Sequence, residues 1–172
     1  YTVLDDEFSD DFGITSEEID KVIKDFNVVE EKEEIKKWYD GYRIGNVEGI
    51  YNPWSILNYL AKKVLKPYWV NTSSNDLIKI TLKNSTTVKE KMERPINLET
   101  VIIDIENNED NIWGLMLGTG YLKVSEVVNL AEGIYKVKLP NYEIKLLFQE
   151  IVRDWFKDKV PGYNLQSILK DL

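Results

Sequence analysis

The 172-residue chain contains neither histidine nor cysteine. Zinc sites built on Cys or His, Ser-His-Asp and Cys-His nucleophiles, and disulfide staples are therefore excluded. Acid–base work would fall to Asp, Glu, Lys or Tyr. Paired acids are plentiful: Asp5-Asp6, Asp10-Asp11, Glu17-Glu18 and Glu33-Glu34. A metal needs ligands that converge in space, which consecutive carboxylates do not, so the pairs read as solvated surface and no metal site is expected. The order Glu-x-Lys, which a metal-dependent nuclease places on a strand beside a second acid, occurs as Glu34-Ile35-Lys36 and Glu143-Ile144-Lys145. Both fall on segments with helical apolar spacing and no strand partner, so no residue is assigned a catalytic role.

The most distinctive chemistry is aromatic and polar. Trp38-Tyr39-Asp40-Gly41-Tyr42-Arg43 is followed by Tyr51-Asn52-Pro53-Trp54-Ser55 and by Tyr68-Trp69-Val70-Asn71-Thr72-Ser73. Two readings fit these strings. In one, the rings pack between helices and the polar residues cap helices and turns. In the other, Trp38, Tyr39, Asp40, Tyr42, Asn52, Trp54, Trp69, Asn71 and Thr72 form a surface that recognises a neighbouring domain or a nucleotide, with Arg43 reaching a phosphate. Arg43 is thus the single candidate for cofactor contact.

These side chains must be positioned by helices. Thr15 followed by Glu18 is a capping box that opens a helix with Ile19, Val22, Ile23 and Phe26 on one face. A second helix runs from about Glu30 to Tyr39 and stops at Gly41. Asn52-Pro53 starts a third, with Ile56, Leu57, Tyr59, Leu60 and Val64 as its buried stripe and Pro67 as its end. Thr72 to Asn75 can cap a helix bearing Leu77, Ile78 and Leu82. A short helix near Val88 to Met92 and a β-like run Val101 to Ile105 follow. Asn111 to Leu117 reads as a short apolar helix. Tyr121 to Val128 and Ile134 to Leu139 flank a loop and predict a hairpin. Pro140-Asn141 launches the strongest helix, apolar from Ile144 to Phe156, which Pro161-Gly162 breaks before a last partial helix at Asn164.

The expected fold is therefore α+β and mostly α. Residues 1–84 form a helical, lid-like subdomain, and residues 85–172 a winged-helix-like subdomain with the hairpin as its wing. A DNA-reading winged helix needs bases on the helix before the wing, and Asn111 to Leu117 has none. The wing offers Lys123, Lys136 and Lys138 as its nucleic-acid candidates. Nucleic acid is accordingly an open but not favoured partner.

Net charge is −8, with 13 acids and 3 bases in residues 1–34 and a near-balanced remainder. The acidic end would repel nucleic acid. No apolar run reaches the roughly 18–20 residues that span a bilayer, and no leader precedes the first helix, so a cytoplasmic protein without a membrane partner is expected. The chain opens on Tyr1 and reads as a region of a larger protein.

The strings from Asp11-Phe12-Gly13-Ile14-Thr15 through the three aromatic clusters resemble the AAA-ATPase-like proteins of anaerobic bacteria. So do Gly118-Thr119-Gly120-Tyr121-Leu122 and Leu139-Pro140-Asn141-Tyr142-Glu143. The likeness runs through nearly the whole chain in order. It implies a parent with an N-terminal P-loop core that binds ATP and Mg²⁺, and a C-terminal domain resembling PD-(D/E)XK nucleases. This chain would lie between them, with the P-loop core and the nuclease-like domain as its partners. It contains no Gly-x-x-x-x-Gly-Lys-Ser/Thr string, so no cofactor is expected within it. Two functions follow from this resemblance and the residue pattern: a non-catalytic lid that couples the nucleotide core to the downstream domain, or a winged-helix module that binds a protein or nucleic acid.

Overall fold

The computed structural model describes residues 13–70, 95–97 and 109–159. The chain order is α1 (Ser16–Asp25), a 3-10 turn (Val29–Glu31), α2 (Lys32–Tyr39), β1 (Tyr42–Ile44), β2 (Val47–Ile50) and α3 (Pro53–Lys62). After β3 (Ile96–Asn97) come α4 (Glu109–Gly118), β4 (Lys123–Asn129), β5 (Ile134–Lys138) and α5 (Tyr142–Lys159). The fold is α+β, with helices carrying small antiparallel sheets. No described helix is long and apolar enough to cross a membrane.

Three helix starts follow local chemistry. The Thr15 side chain accepts from the Glu18 N–H, while the Glu18 carboxylate accepts from the Thr15 N–H at 2.9 Å. Asn52 Oδ1 accepts from the Trp54 and Ser55 N–H groups, with Pro53 at the first helical position. Asn141 Oδ1 accepts from the Ile144 N–H at the start of α5. At each of these three starts one or two of the orphan N–H groups are thereby given an oxygen from a short polar side chain.

Two large apolar cores result, beside a small cluster of Leu117, Val124 and Tyr135. The first joins Ile19 and Ile23 of α1, Ile35 and Tyr39 of α2, and Ile56 and Tyr59 of α3. The second joins Trp113 and Met116 of α4, Val137 of β5, and Ile144, Leu147 and Phe148 of α5. Val70 and Ile96 also belong to the second core, so the segment after α3 already reaches into it. β5 lies between β3 and β4, making a three-stranded sheet around the hairpin.

Several expectations need correction. Helix α3 stops at Lys62, before Pro67: Lys63 turns left-handed at φ 51° and its N–H still caps the Tyr59 carbonyl. Leu57 and Val64 are exposed rather than buried, as is Phe26 on α1. Buried positions of α3 are Ser55, Ile56, Tyr59 and Leu60, a narrower stripe than its apolar residues suggested. The β1–β2 hairpin was not foreseen. Its signal is the two-residue Gly45-Asn46 turn, with Ile44 opposite Val47 and Arg43 opposite Glu48. The expected elements near Leu77, Val88–Met92, Val101–Ile105 and Asn164 lie outside the described residues, as do the acidic first dozen positions.

Candidate functional site

The two cores meet along a seam built by the aromatic strings. Trp38 of α2 packs edge-on against Tyr142 of α5, with ring centroids 4.8 Å apart. Tyr42 of β1 stands edge-on to Trp69, and Trp69 leans on Tyr121 at 5.0 Å. Such aromatic pairs contribute beyond their buried area, because ring edges and faces carry opposite partial charge. The backbone closes as tightly: a Cβ on Gly41 would overlap the Pro140 carbonyl oxygen.

A buried carboxylate lies at the centre of this seam. Glu143, in the first turn of α5, is fully buried. Its Oε2 accepts from the Ser55 hydroxyl of α3 at 2.8 Å, and its Oε1 accepts from the Trp69 N–H at 2.6 Å. Burial raises its pKa above the usual carboxylate range, and the hydrogen bonds from Ser55, Trp69 and Val70 offset part of that rise. One side chain therefore binds α3 and the 68–70 turn to α5. The Tyr42 hydroxyl and Asn141 Nδ2 are buried in the same region and, among the described residues, find no hydrogen-bond partner of good geometry. Burial also drives the Tyr42 hydroxyl well above the ordinary tyrosine range, against a smaller opposing effect from Asn141.

Beside the seam is a cleft of about 260 Å³. Its walls are Tyr42 and Arg43 of β1, Asn52 and Pro53 at the start of α3, Trp69, and the Gly118-Thr119-Gly120 turn after α4. Gly120 adopts φ 83°, a backbone conformation that L side chains rarely adopt, so a glycine is what lets this turn form the wall beside the Tyr42 and Trp69 rings. Arg43 is held through its Nε to the Gly45 carbonyl at 2.9 Å, and through Nη1 to Glu48 at 3.3 Å. Glu48 is mostly exposed, so that ion pair is weak and readily exchanged for another anion.

The structure sorts the sequence candidates. Tyr42, Arg43, Asn52 and Trp69 converge on the cleft. Trp38 and Tyr39 do not line it. Tyr39 is a core residue: its hydroxyl donates to the Lys66 carbonyl and accepts from the Lys66 N–H, both at 3.0 Å. Asp40 accepts from the Gly41 N–H, and burial raises its pKa despite that bond and nearby Lys36 and Lys123. Trp54 is the exposed member of the set, at 51%. Asn71 and Thr72 lie outside the described residues. Among the described residues, no group of three acidic side chains converges to hold a metal.

The three hairpin lysines divide. Lys123 is half-buried beside Asp40 and Glu48. Burial and the neighbouring Lys138 lower its pKa, and the two acids counter that effect. Lys136 is paired with Glu126 at 2.7 Å. Lys138 is exposed and stands opposite Lys123 at the base of the hairpin. Glu143 is the residue that sequence reasoning passed over. In the sequence it stands out only within Glu143-Ile144-Lys145 and within the Leu139-to-Glu143 string, neither of which points to a buried role, and it lies on a helix as its spacing predicts.

No family model and no solved structure matches the chain. The chain is similar to an uncharacterized protein in the vnfD 5' region of Azotobacter chroococcum mcd 1, 26% identical over 148 residues. The match takes in 86% of this chain and 28% of that relative, so the chain spans less than a third of the length of the relative it matches.

Proposed function

We propose that this chain is the non-catalytic lid and coupling region of a longer, cytoplasmic AAA-ATPase-like protein. In that parent, movement of a P-loop core carrying ATP and Mg²⁺ is passed through the aromatic seam to a downstream nuclease-like domain. The observation that carries this reading is the convergence on one cleft of strings far apart in sequence. Tyr42-Arg43, Asn52-Pro53, Trp69 and Gly118-Thr119-Gly120 each carry the resemblance, and each lines the same cleft. That cleft straddles the two cores, where a neighbouring group can bias both. Similarity to a relative of which the chain covers 28% also supports a region within a larger protein.

Arg43 is the nucleotide-sensing cation in this account. Its Nε anchor to Gly45 fixes the guanidinium, while the weak bond to Glu48 leaves one edge free to exchange partners. In the longer protein, Arg43→Ala is expected to lower ATP turnover about tenfold or more, the worth of one charge-assisted hydrogen bond. Unchanged turnover removes Arg43 from the mechanism.

A second reading is favoured by the order α4, β4, β5, α5, which has the sequence of a winged helix. On that reading the region binds a protein or a nucleic acid. The distribution of bases weighs against nucleic acid, since Lys136 is paired and Lys123 is drawn toward the seam.

A further inference from the structure

Lys123, at the start of β4, is a half-buried amine without a partner. Its Nζ lies beside Gly41, where an added Cβ would stand 3.2 Å from it, so the side chain is lodged at the join between α2 and α5. Lys32 and Lys136 are also partly sheltered, and each holds a carboxylate, Asp20 at 2.6 Å and Glu126 at 2.7 Å. Lys123 makes no ion pair and donates no hydrogen bond among the described residues.

Its neighbours add to this. Lys138 stands directly opposite on β5, on the same face of the hairpin, and is exposed and without an ion pair among the described residues. Two acids reach Lys123 only through space, and both are engaged elsewhere. Asp40 accepts from the Gly41 N–H, and Glu48 is paired with Arg43. Shelter without a partner and a like charge alongside both favour the neutral amine, the form with a lone pair to give. Burial first and Lys138 second lower the pKa of Lys123 accordingly.

We propose that Lys123 is a nucleophilic amine that takes an acyl group from a small acyl phosphate, with Lys138 drawing in the phosphate of the donor. The Lys123 nitrogen attacks the carbonyl carbon. The bond from that carbon to the phosphate oxygen breaks, and inorganic phosphate leaves with the electron pair. The extra proton on the nitrogen passes to solvent, and a neutral amide remains. Acylation thereby removes a charge from the place where Gly41 packs against Pro140. The inference is independent of the coupling role proposed above.

The test treats the 172-residue chain with acetyl phosphate and follows acetylation of each lysine by peptide mass spectrometry. Lys123 is expected to react severalfold faster than the exposed Lys21, and the difference is expected to vanish in urea. Lys138→Gln is expected to slow Lys123 severalfold, through loss of both the like charge and the phosphate contact. With a neutral donor, the N-hydroxysuccinimide ester of acetate, the same variant is expected to slow it less. Equal rates at Lys123 and Lys21 in the folded chain overturn the inference, as does a preference that persists in urea. A Lys123 rate unchanged by Lys138→Gln, or slowed equally with both donors, overturns the part given to Lys138.

Discussion

Gly41→Ala is expected to destabilise the chain by about 3 kcal/mol or more, summing backbone strain and steric overlap. Gly41 holds φ 111°, a conformation that L side chains rarely adopt. Its added methyl would meet the Pro140 carbonyl, a backbone group that cannot rotate away as a flexible side chain does. To admit it, the end of α2 must part from the start of α5, which is where the two cores join. Gly114→Ala is the contrast. Gly114 lies inside α4 with open space around its Cα, so alanine there is expected to stabilise by about 0.5–1 kcal/mol through backbone entropy. Urea unfolding followed by tryptophan fluorescence compares the two directly. A Gly41→Ala midpoint equal to wild type would show that the seam tolerates separation.

The second large effect concerns Glu143. Alanine there strands the Ser55 hydroxyl and the Trp69 N–H without their acceptor. A buried orphan costs about 1–3 kcal/mol; the Ser55 hydroxyl is fully buried and the Trp69 N–H partly so, so Glu143→Ala is expected to lose about 2 kcal/mol. Glutamine behaves differently. Its oxygen can accept from Trp69 while its amide donates to the Ser55 oxygen, and it carries no charge into the interior. The sign of the pH dependence follows from the raised pKa of the carboxyl. A group whose folded pKa lies above its unfolded value contributes stability that is fully present below the unfolded value. That contribution is lost as pH rises through the folded value. The wild-type protein therefore gives up this part of its stability as the solution passes from acid toward neutral, and Glu143→Gln does not. The difference in unfolding free energy is expected to move in favour of glutamine over that interval. A constant difference would mean that Glu143 titrates as it does in the unfolded chain.

These two residues also show where the sequence was readable. Thr15, Asn52 and Asn141 act on donors two or three residues away, so their roles as caps follow from short patterns. The β4–β5 hairpin and α5 were equally legible, since alternation and helical spacing persist over whole elements. Glu143 was not. An acid in the first turn of a helix is favoured by the helix dipole and normally faces water. Its burial is imposed by Ser55 and Trp69, 88 and 74 residues away. The cleft was half-visible. Tyr42, Arg43, Asn52 and Trp69 stood out by composition, yet their separation from Tyr39 and Trp54 depends on which way each ring turns. The β1–β2 hairpin escaped because its strands span only three and four residues inside an aromatic string. The exposure of Phe26, Leu57 and Val64 shows the converse limit: helical spacing of apolar residues does not say how wide a face the neighbours cover.

The central claim is that this region transmits the nucleotide state of a larger protein and does not itself bind nucleotide or DNA. Its most direct test is a pair of titrations, with Mg·ATP and with duplex DNA, on this chain and on the longer protein side by side. The account predicts that the longer protein binds ATP while this chain binds neither ligand. DNA binding by this chain alone, weakening steeply as salt is raised, would contradict it and make the hairpin region a nucleic-acid module in its own right.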